Sequence, residues 1–196
     1  MMLDQLARRG IRDPRVLGAM AAVPRVLFVP PALIEQAYAD RPLPLSHGQT
    51  MSPPYVVAVM TEALQLGPCD RVLEIGTGSG YSAAVLSELV THVDTVERLP
   101  ALAASATERL ATLGYRSIDV HRGDGSLGWP ARAPYNAIVV TACSPRSRNR
   151  CSGSSRRGGG WSCRLETSTG STSSGSAGSE STSAPSTISV RFSSAR

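Results

Sequence analysis

A chain of 196 residues is long enough for one α/β domain with a real core and short for two, so a single site is expected. No apolar run reaches the roughly eighteen residues of a membrane span, and the start, MMLDQLARRGIRDP, lacks a secretory leader, which points to a soluble, cytoplasmic protein expected as a monomer. The net charge of +5 is a property of the tail: residues 1 to 142 hold 12 Arg against 13 acidic residues, and residues 143 to 196 hold 8 Arg against 2 among 18 Ser without interleaved aromatics, so neither nucleic acid nor membrane is an expected partner.

In chain order, residues 3 to 9 and 14 to 22 have helical spacing of apolar positions, with Asp13 as the N-cap and Pro14 at the first helical position of the second helix. A proline-rich loop, RPLPLSHGQTMSPP, leads into a third helical pattern carried by Val56, Val59, Met60, Ala63 and Leu64. Strand and helix then alternate. RVLEI (71 to 75) is a short apolar strand closed by glycines, and SAAVLSELV (82 to 90) is helical. HVDTVE (92 to 97) is a second strand, and PALAASATERLATLG (100 to 114) is a helix of strong formers ending on glycine. IDVHRGDG contains a third strand, and NAIVVTA (136 to 142) is a fourth, apolar on both faces as buried parallel strands are. Repeated βαβ units predict a doubly wound, mostly parallel sheet of the Rossmann-like α/β class, with its ligand at the carboxyl ends of the strands. After Ala142 the periodicity stops. The expected division is therefore a domain over 1 to 142, made of N-terminal helices (1 to 64) and a βαβ core (71 to 142), and a Ser/Arg/Gly-rich tail over 143 to 196 without regular structure, the last strands of the sheet missing.

The chemistry gathers at the strand ends. Val72 to Tyr81 runs as a strand that breaks into Gly76-Thr77-Gly78-Ser79-Gly80 and opens a helix. Glycines there let the backbone approach a ligand that a Cβ would exclude. The spacing is G-x-G-x-G, because position 81 is Tyr, and Glu74 ends the strand before it; a carboxylate there repels a pyrophosphate but can anchor an amino-acid ammonium, directly or through water. Together these point to S-adenosylmethionine rather than a dinucleotide. Glu97 ends the second strand about twenty residues on, where it can accept from both ribose hydroxyls. Gly123-Asp124-Gly125 follows the third strand, with Asp124 placed to receive an adenine amino group. Any of these alone has an ordinary reading as a packing turn, a surface acid or a β-turn. Three at successive strand ends do not. Cys69, Cys143, Cys151 and Cys163 form no C-x-x-C pair, and His47, His92 and His121 fall at no metal-ligand spacing, so no metal is expected.

This cofactor pattern is common to many methyltransferases, but HGQTMSPPYVVAVMTEAL (47 to 64) resembles the segment particular to the protein-L-isoaspartate O-methyltransferases. GIRDPRVLGAMAAVPRVLFVP (10 to 30), DRPLPLSHGQ and GDGSLGWP resemble that family too, so the likeness runs nearly unbroken from residue 3 to 142. The resemblance implies methyl transfer from S-adenosylmethionine to the free carboxylate of L-isoaspartyl, and less well D-aspartyl, residues in damaged proteins or peptides, for repair. It also implies that Ser52 is the active-site serine and that Gln49, Thr50 and Met51 belong to the loop closing over the cofactor. Pro53 stands where bacterial members usually have Gln. Ser52 has a structural reading besides, as N-cap of the helix opened by Pro53 and Pro54.

The family continues past the fourth strand with a helix, a P-G-G-R-L-V turn and strand, and further strands, none visible in the tail. Codons permitted for Gly158 to Glu166, shifted by two bases, spell Gly-Arg-Leu-Val-Leu-Pro-Ala-Gly. A change of reading frame near residues 142 to 147 is therefore expected, and with it weak or absent activity of this polypeptide.

Overall fold

The computed structural model describes residues 2 to 142 and two strands, Ser162–Ser168 and Ser186–Ser193. Helices α1 (Met2–Arg8) and α2 (Pro14–Ala22) come first, and Asp13 caps α2 by accepting the Arg15 N–H, as its place before Pro14 predicts. A two-residue hairpin, β1 (Leu43–Pro44) and β2 (Thr50–Met51), precedes α3 (Pro54–Ala63). Polar side chains tie these pieces together. Glu62 on α3 accepts the Arg12 and Asp13 N–H groups at 2.6 and 2.7 Å, and Arg15 donates to the carbonyls of Leu66 and Leu89 in the turns after two helices.

The sheet begins with β3 (Arg71–Ile75), followed by α4 (Tyr81–Ser87), β4 (His92–Glu97), α5 (Pro100–Thr112), β5 (Ile118–Arg122) and β6 (Ala137–Val140). β4 and β6 flank β3, β5 lies outside β4, and all four are parallel. Helix α4 stops three residues short of the sequence expectation, because Leu89 N–H bonds Leu86 O in a tightened last turn. Strand alternation divides the core. Val72, Val93, Ile118, Ala137 and Val139 join the main apolar cluster with α2, α3, α4 and Leu110 of α5; Leu73, Val96 and Tyr135 form a smaller cluster on the opposite face with Ile75, Trp129 and Ile138.

Two strands extend the sheet where the sequence reading expected none: β7 (Ser162–Ser168) and β8 (Ser186–Ser193). β8 lies parallel beside β6, and β7 runs antiparallel at the edge. Ile188, Val190 and Phe192 recur at every second position, a strand period that the Ser-rich composition concealed. The rest of 143 to 196, with the segment that motivates the frame-change reading, lies largely outside the described residues. No helix among the described residues is long and apolar enough to cross a membrane.

Candidate active site

The chain leaves β3 through glycines that the backbone needs. Gly76 has φ +106°, and a Cβ there would meet the Ala142 Cβ at 2.8 Å and Thr141 Oγ1 at 2.9 Å, at the end of the neighbouring β6. Gly78 and Gly80 also hold positive φ, and Gly80 serves as N-cap of α4. The loop thus sits where β3 connects to one side of the sheet and β6 lies on the other, the crevice where such sheets bind ligands.

The three predicted strand-end signals meet here. Glu97 is nearly buried; its Oε2 accepts the Gly78 N–H at 2.9 Å and its Oε1 the Leu99 N–H at 3.0 Å. Its backbone carbonyl accepts the Gly123 N–H at 3.0 Å, which joins the third signal to the second. Each carboxylate oxygen keeps a lone pair for a hydroxyl. Asp124 is exposed and accepts the Ser126 N–H, which holds its carboxyl below the usual range. Gly125 is required because a Cβ would stand 2.5 Å from Ile75 Cγ2 on β3.

Beneath the loop lies a buried polar chain that the sequence reading did not foresee. Glu74 has no exposed surface, and its Oε2 accepts the Thr95 hydroxyl at 2.7 Å. With that proton committed, Thr77 donates to Thr95 Oγ1 at 2.8 Å. Thr77 and Ser79 therefore turn inward, and the Ser79 carbonyl accepts from Arg109 of α5. Glu74 Oε1 has no hydrogen-bond partner among the described residues. Burial pushes the Glu74 carboxyl up to about 7, opposed by the Thr95, Ser82 and Thr141 hydroxyls and reinforced by Glu97.

The 43 to 51 hairpin lies against this loop. Leu45 Cδ1 would contact a Cβ on Gly78 at 3.6 Å. Gln49 and Thr50 are exposed at the hairpin, whereas Met51 is buried, paired with Leu43, and packs into the core. His47 adopts a left-handed conformation with φ 59°, followed by Gly48 at 66°. Ser52 is half-buried. The N-cap of α3 is Pro53, without a side-chain bond, so the capping role read for Ser52 is corrected: the helix starts one residue too late for the Ser52 hydroxyl to reach its first free N–H groups. No hydrogen bond of that hydroxyl is present among the described residues. The Ser52 carbonyl is pinned instead, by Arg25 Nη2 at 2.6 Å. Arg25 is wholly buried, donates also to Ala37 O, and lies 4.7 Å over the ring of Tyr81, which follows the glycine loop. Burial, with no carboxylate partner among the described residues, lowers its guanidinium to about 10. The only sequence signal for this link is an Arg inside the apolar stretch VPRVLFVP.

A sequence model of the family described as protein-L-isoaspartate(D-aspartate) O-methyltransferase (PCMT) matches residues 1–151. Among similar curated proteins, protein-L-isoaspartate O-methyltransferase 2 of Pelobacter propionicus is 61% identical over 145 residues, 74% of this chain and 64% of its own length. The protein-L-isoaspartate O-methyltransferase of a Synechococcus strain is also 61% identical over 145 residues, covering 74% of this chain and 59% of its own. This chain thus spans about three fifths of the length of these relatives. A solved structure named protein-L-isoaspartate O-methyltransferase superposes with a TM-score of 0.64 at 30% identity, over 71% of this chain and 46% of that one. Another, a putative protein-L-isoaspartate O-methyltransferase from Plasmodium falciparum in complex with S-adenosyl-L-homocysteine, gives 0.61 at 26% identity over 72% of each chain.

Proposed function

The chain belongs to the protein-L-isoaspartate(D-aspartate) O-methyltransferase family, and from that premise we propose that its site transfers a methyl group from S-adenosylmethionine to the free carboxylate of L-isoaspartyl and D-aspartyl residues in damaged proteins or peptides. The observation that carries the cofactor part is the contact among three strand ends: Glu97 accepts from Gly78 of the glycine loop and from Gly123 of the GDG turn. The residues present fit the cofactor. Glu74 Oε1 is a buried acceptor without a hydrogen-bond partner among the described residues, suited to an ammonium or to a water bridging to one, and Gly76 and Gly78 hold positive φ values that larger residues adopt only under strain. When bound, S-adenosylmethionine supplies an electrophilic methyl group on a sulfonium. Glu97 would hold the ribose hydroxyls and Asp124 the adenine amino group, while backbone atoms of Gly76, Thr77, Gly78, Ser79, Gly80, Gly123 and Gly125 line the approach.

The acceptor part rests on the hairpin. Gln49, Thr50 and Met51 would close over the cofactor, and Ser52, its hydroxyl unbonded and its backbone fixed by Arg25, would orient the incoming carboxylate. A carboxylate of pKa about 4 is already ionised at neutral pH, so no general base is needed. Alignment of nucleophile and methyl group, with water excluded, supplies the rate. The family match ends at residue 151, which favours a second reading for this polypeptide as it stands: cofactor binding with weak turnover, the family's own C-terminal segment lying in an alternate reading frame of the gene.

Labelled-methyl transfer to an isoaspartyl peptide, with its aspartyl isomer as control, tests the acceptor; titration calorimetry with S-adenosylhomocysteine tests the site. Binding with isoaspartyl-selective transfer supports the reading. Equal transfer to both peptides refutes the acceptor assignment, and absence of binding refutes the cofactor assignment. Normal turnover refutes the second reading.

A further inference from the structure

The opposite face of the sheet carries a constellation that methyl transfer does not use. β4 reads His92-Val93-Asp94 and β5 reads Asp119-Val120-His121, and the parallel register pairs Asp94 with Asp119. Alternation therefore turns all four polar side chains to the face away from Glu74 and Glu97. Asp94 is fully buried; its Oδ1 accepts from His121 Nε2 at 2.7 Å, and its Oδ2 lies 3.7 Å from His92 Nε2. Asp119 Oδ2 lies 3.4 Å from the same nitrogen.

His92 Nε2 is the informative atom. It is buried from solvent and has no hydrogen-bond partner among the described residues, although it faces two carboxylates. The separations of 3.4 and 3.7 Å exceed an ordinary N–H···O bond, which is about 2.7–3.2 Å. The shorter matches the edge of a tetrahedron of donors around an ion with bonds of about 2.0–2.1 Å, which works out near 3.4 Å, and the longer exceeds that edge by a few tenths of an ångström. The three ligand atoms all lie within 4.8 Å of one another. We propose that His92, Asp94 and Asp119 bind a divalent cation of the zinc class, with His121 as the positioning residue for Asp94.

The surroundings supply what such a site needs besides ligands. His121 holds Asp94 by its Nε2 and is itself held by stacking on Trp129, at 4.6 Å between ring centres. Partners of this kind fix ligand orientation and are worth about 10–100-fold in affinity. An open cavity of about 450 Å³, lined by Arg71, His92, Ala131, Arg132 and Ala133, gives the ion a path and room for a water as fourth ligand. One imidazole with two carboxylates suits zinc or manganese, whereas calcium takes six or more oxygens.

Two arginines compete for the same oxygens. Arg71 Nη2 reaches Asp94 Oδ2 at 3.3 Å and Arg132 Nη2 reaches Asp119 Oδ2 at 2.8 Å. Both are partly exposed, and Arg71 has a second seat against the Tyr135 ring, so each can withdraw when an ion enters. This competition separates an ion site from a closed ion-pair network: removing Arg132 should tighten the first and do nothing for the second.

The test is titration of the full chain with Zn²⁺ by calorimetry and with Co²⁺ by visible d–d absorption, in phosphate-free buffer. One saturable equivalent with the intense band of tetrahedral cobalt is expected. His92→Gln should abolish it, His121→Gln should weaken it about 10–100-fold, and Arg132→Gln should tighten it several-fold. Asp119→Asn, at a more exposed position than Asp94, provides a ligand variant if His92→Gln fails to fold. No saturable binding, binding that survives His92→Gln, or binding lost on alkylating the cysteines would overturn the proposal. So would an Arg132→Gln chain that binds no more tightly than the parent.

Discussion

Replacing Glu74 by Gln tests the buried polar chain under the glycine loop. In the folded protein the Glu74 carboxyl is pushed up to about 7 from an ordinary 4.5, chiefly by burial. Each unit of displacement corresponds to about 1.4 kcal/mol, so ionising Glu74 costs the folded state about 3 kcal/mol relative to the unfolded chain. The folded protein keeps a proton that the unfolded chain has already released. The stability this proton confers is therefore complete below pH 4.5, declines as pH rises, and is lost above pH 7. Gln keeps an acceptor for the Thr95 hydroxyl and never ionises. Glu74→Gln should match the parent near pH 4.5 and exceed it by up to about 3 kcal/mol at pH 8. Urea unfolding followed by circular dichroism at pH 5, 6, 7 and 8 measures the difference. A constant difference across that window would refute the reasoning. The proposed function adds a second readout: an ammonium beside Glu74 favours its ionised form, so S-adenosylhomocysteine should bind the parent more tightly between pH 6 and 8 with proton release, and the variant should lose both the affinity and the pH dependence.

Gly76→Ala places a Cβ 2.8 Å from Ala142 at a φ of +106°, and should cost about 1–3 kcal/mol in denaturant unfolding; an unchanged midpoint would show that the loop relaxes freely. Arg25→Met leaves the Ala37 and Ser52 carbonyls without donors, each bond worth about 1.5–3 kcal/mol, and removes a buried cation that has no acid partner. The net expectation is a loss of about 2 kcal/mol or more, and an equal or higher urea midpoint would refute it. Ser52→Ala caps nothing and should change stability by less than about 0.5 kcal/mol while abolishing isoaspartyl methylation, measured on the same preparation; undiminished transfer would remove Ser52 from the chemistry.

The main helices and parallel strands over residues 2 to 142 were legible because each has a strong local signal: Asp13-Pro14 starts α2, the glycines end β3, and β6 is apolar throughout, whereas the β1–β2 hairpin fell inside a stretch read as a proline-rich loop. The three strand-end signals also lie where the sequence reading puts them, since a strand followed by G-x-G-x-G leaves the backbone few alternatives. What escaped the reading depends on contacts between distant segments. Arg25 meets Ser52 across 27 residues and Asp94 meets His121 across 27, and no spacing rule within one segment reports either. The Ser52 cap failed for a local reason, because two successive prolines allow the helix to begin at either, and it begins at the second. β8 was hidden by composition, since serines mask an alternation that a window on Ile188, Val190 and Phe192 reveals.

β4 unites the two sites. A central parallel strand is ordinarily apolar on both faces, yet this one buries Asp94, Thr95 and Glu97 in succession. A strand that breaks the local rule does so at a stability cost, and such breaks concentrate where function needs them. Parity assigns each polar residue to a side. Thr95 and Glu97 face the glycine loop and border the proposed cofactor crevice, while His92 and Asp94 face away and meet β5. Replacing Asp94 by an apolar residue would suit the strand rule but strand His121, whose Nε2 has only that carboxylate among the described residues. The buried acid is thus explained by its partners on the second face. The proposed methyl transfer accounts for the first face alone, and the second is where the cation site is proposed.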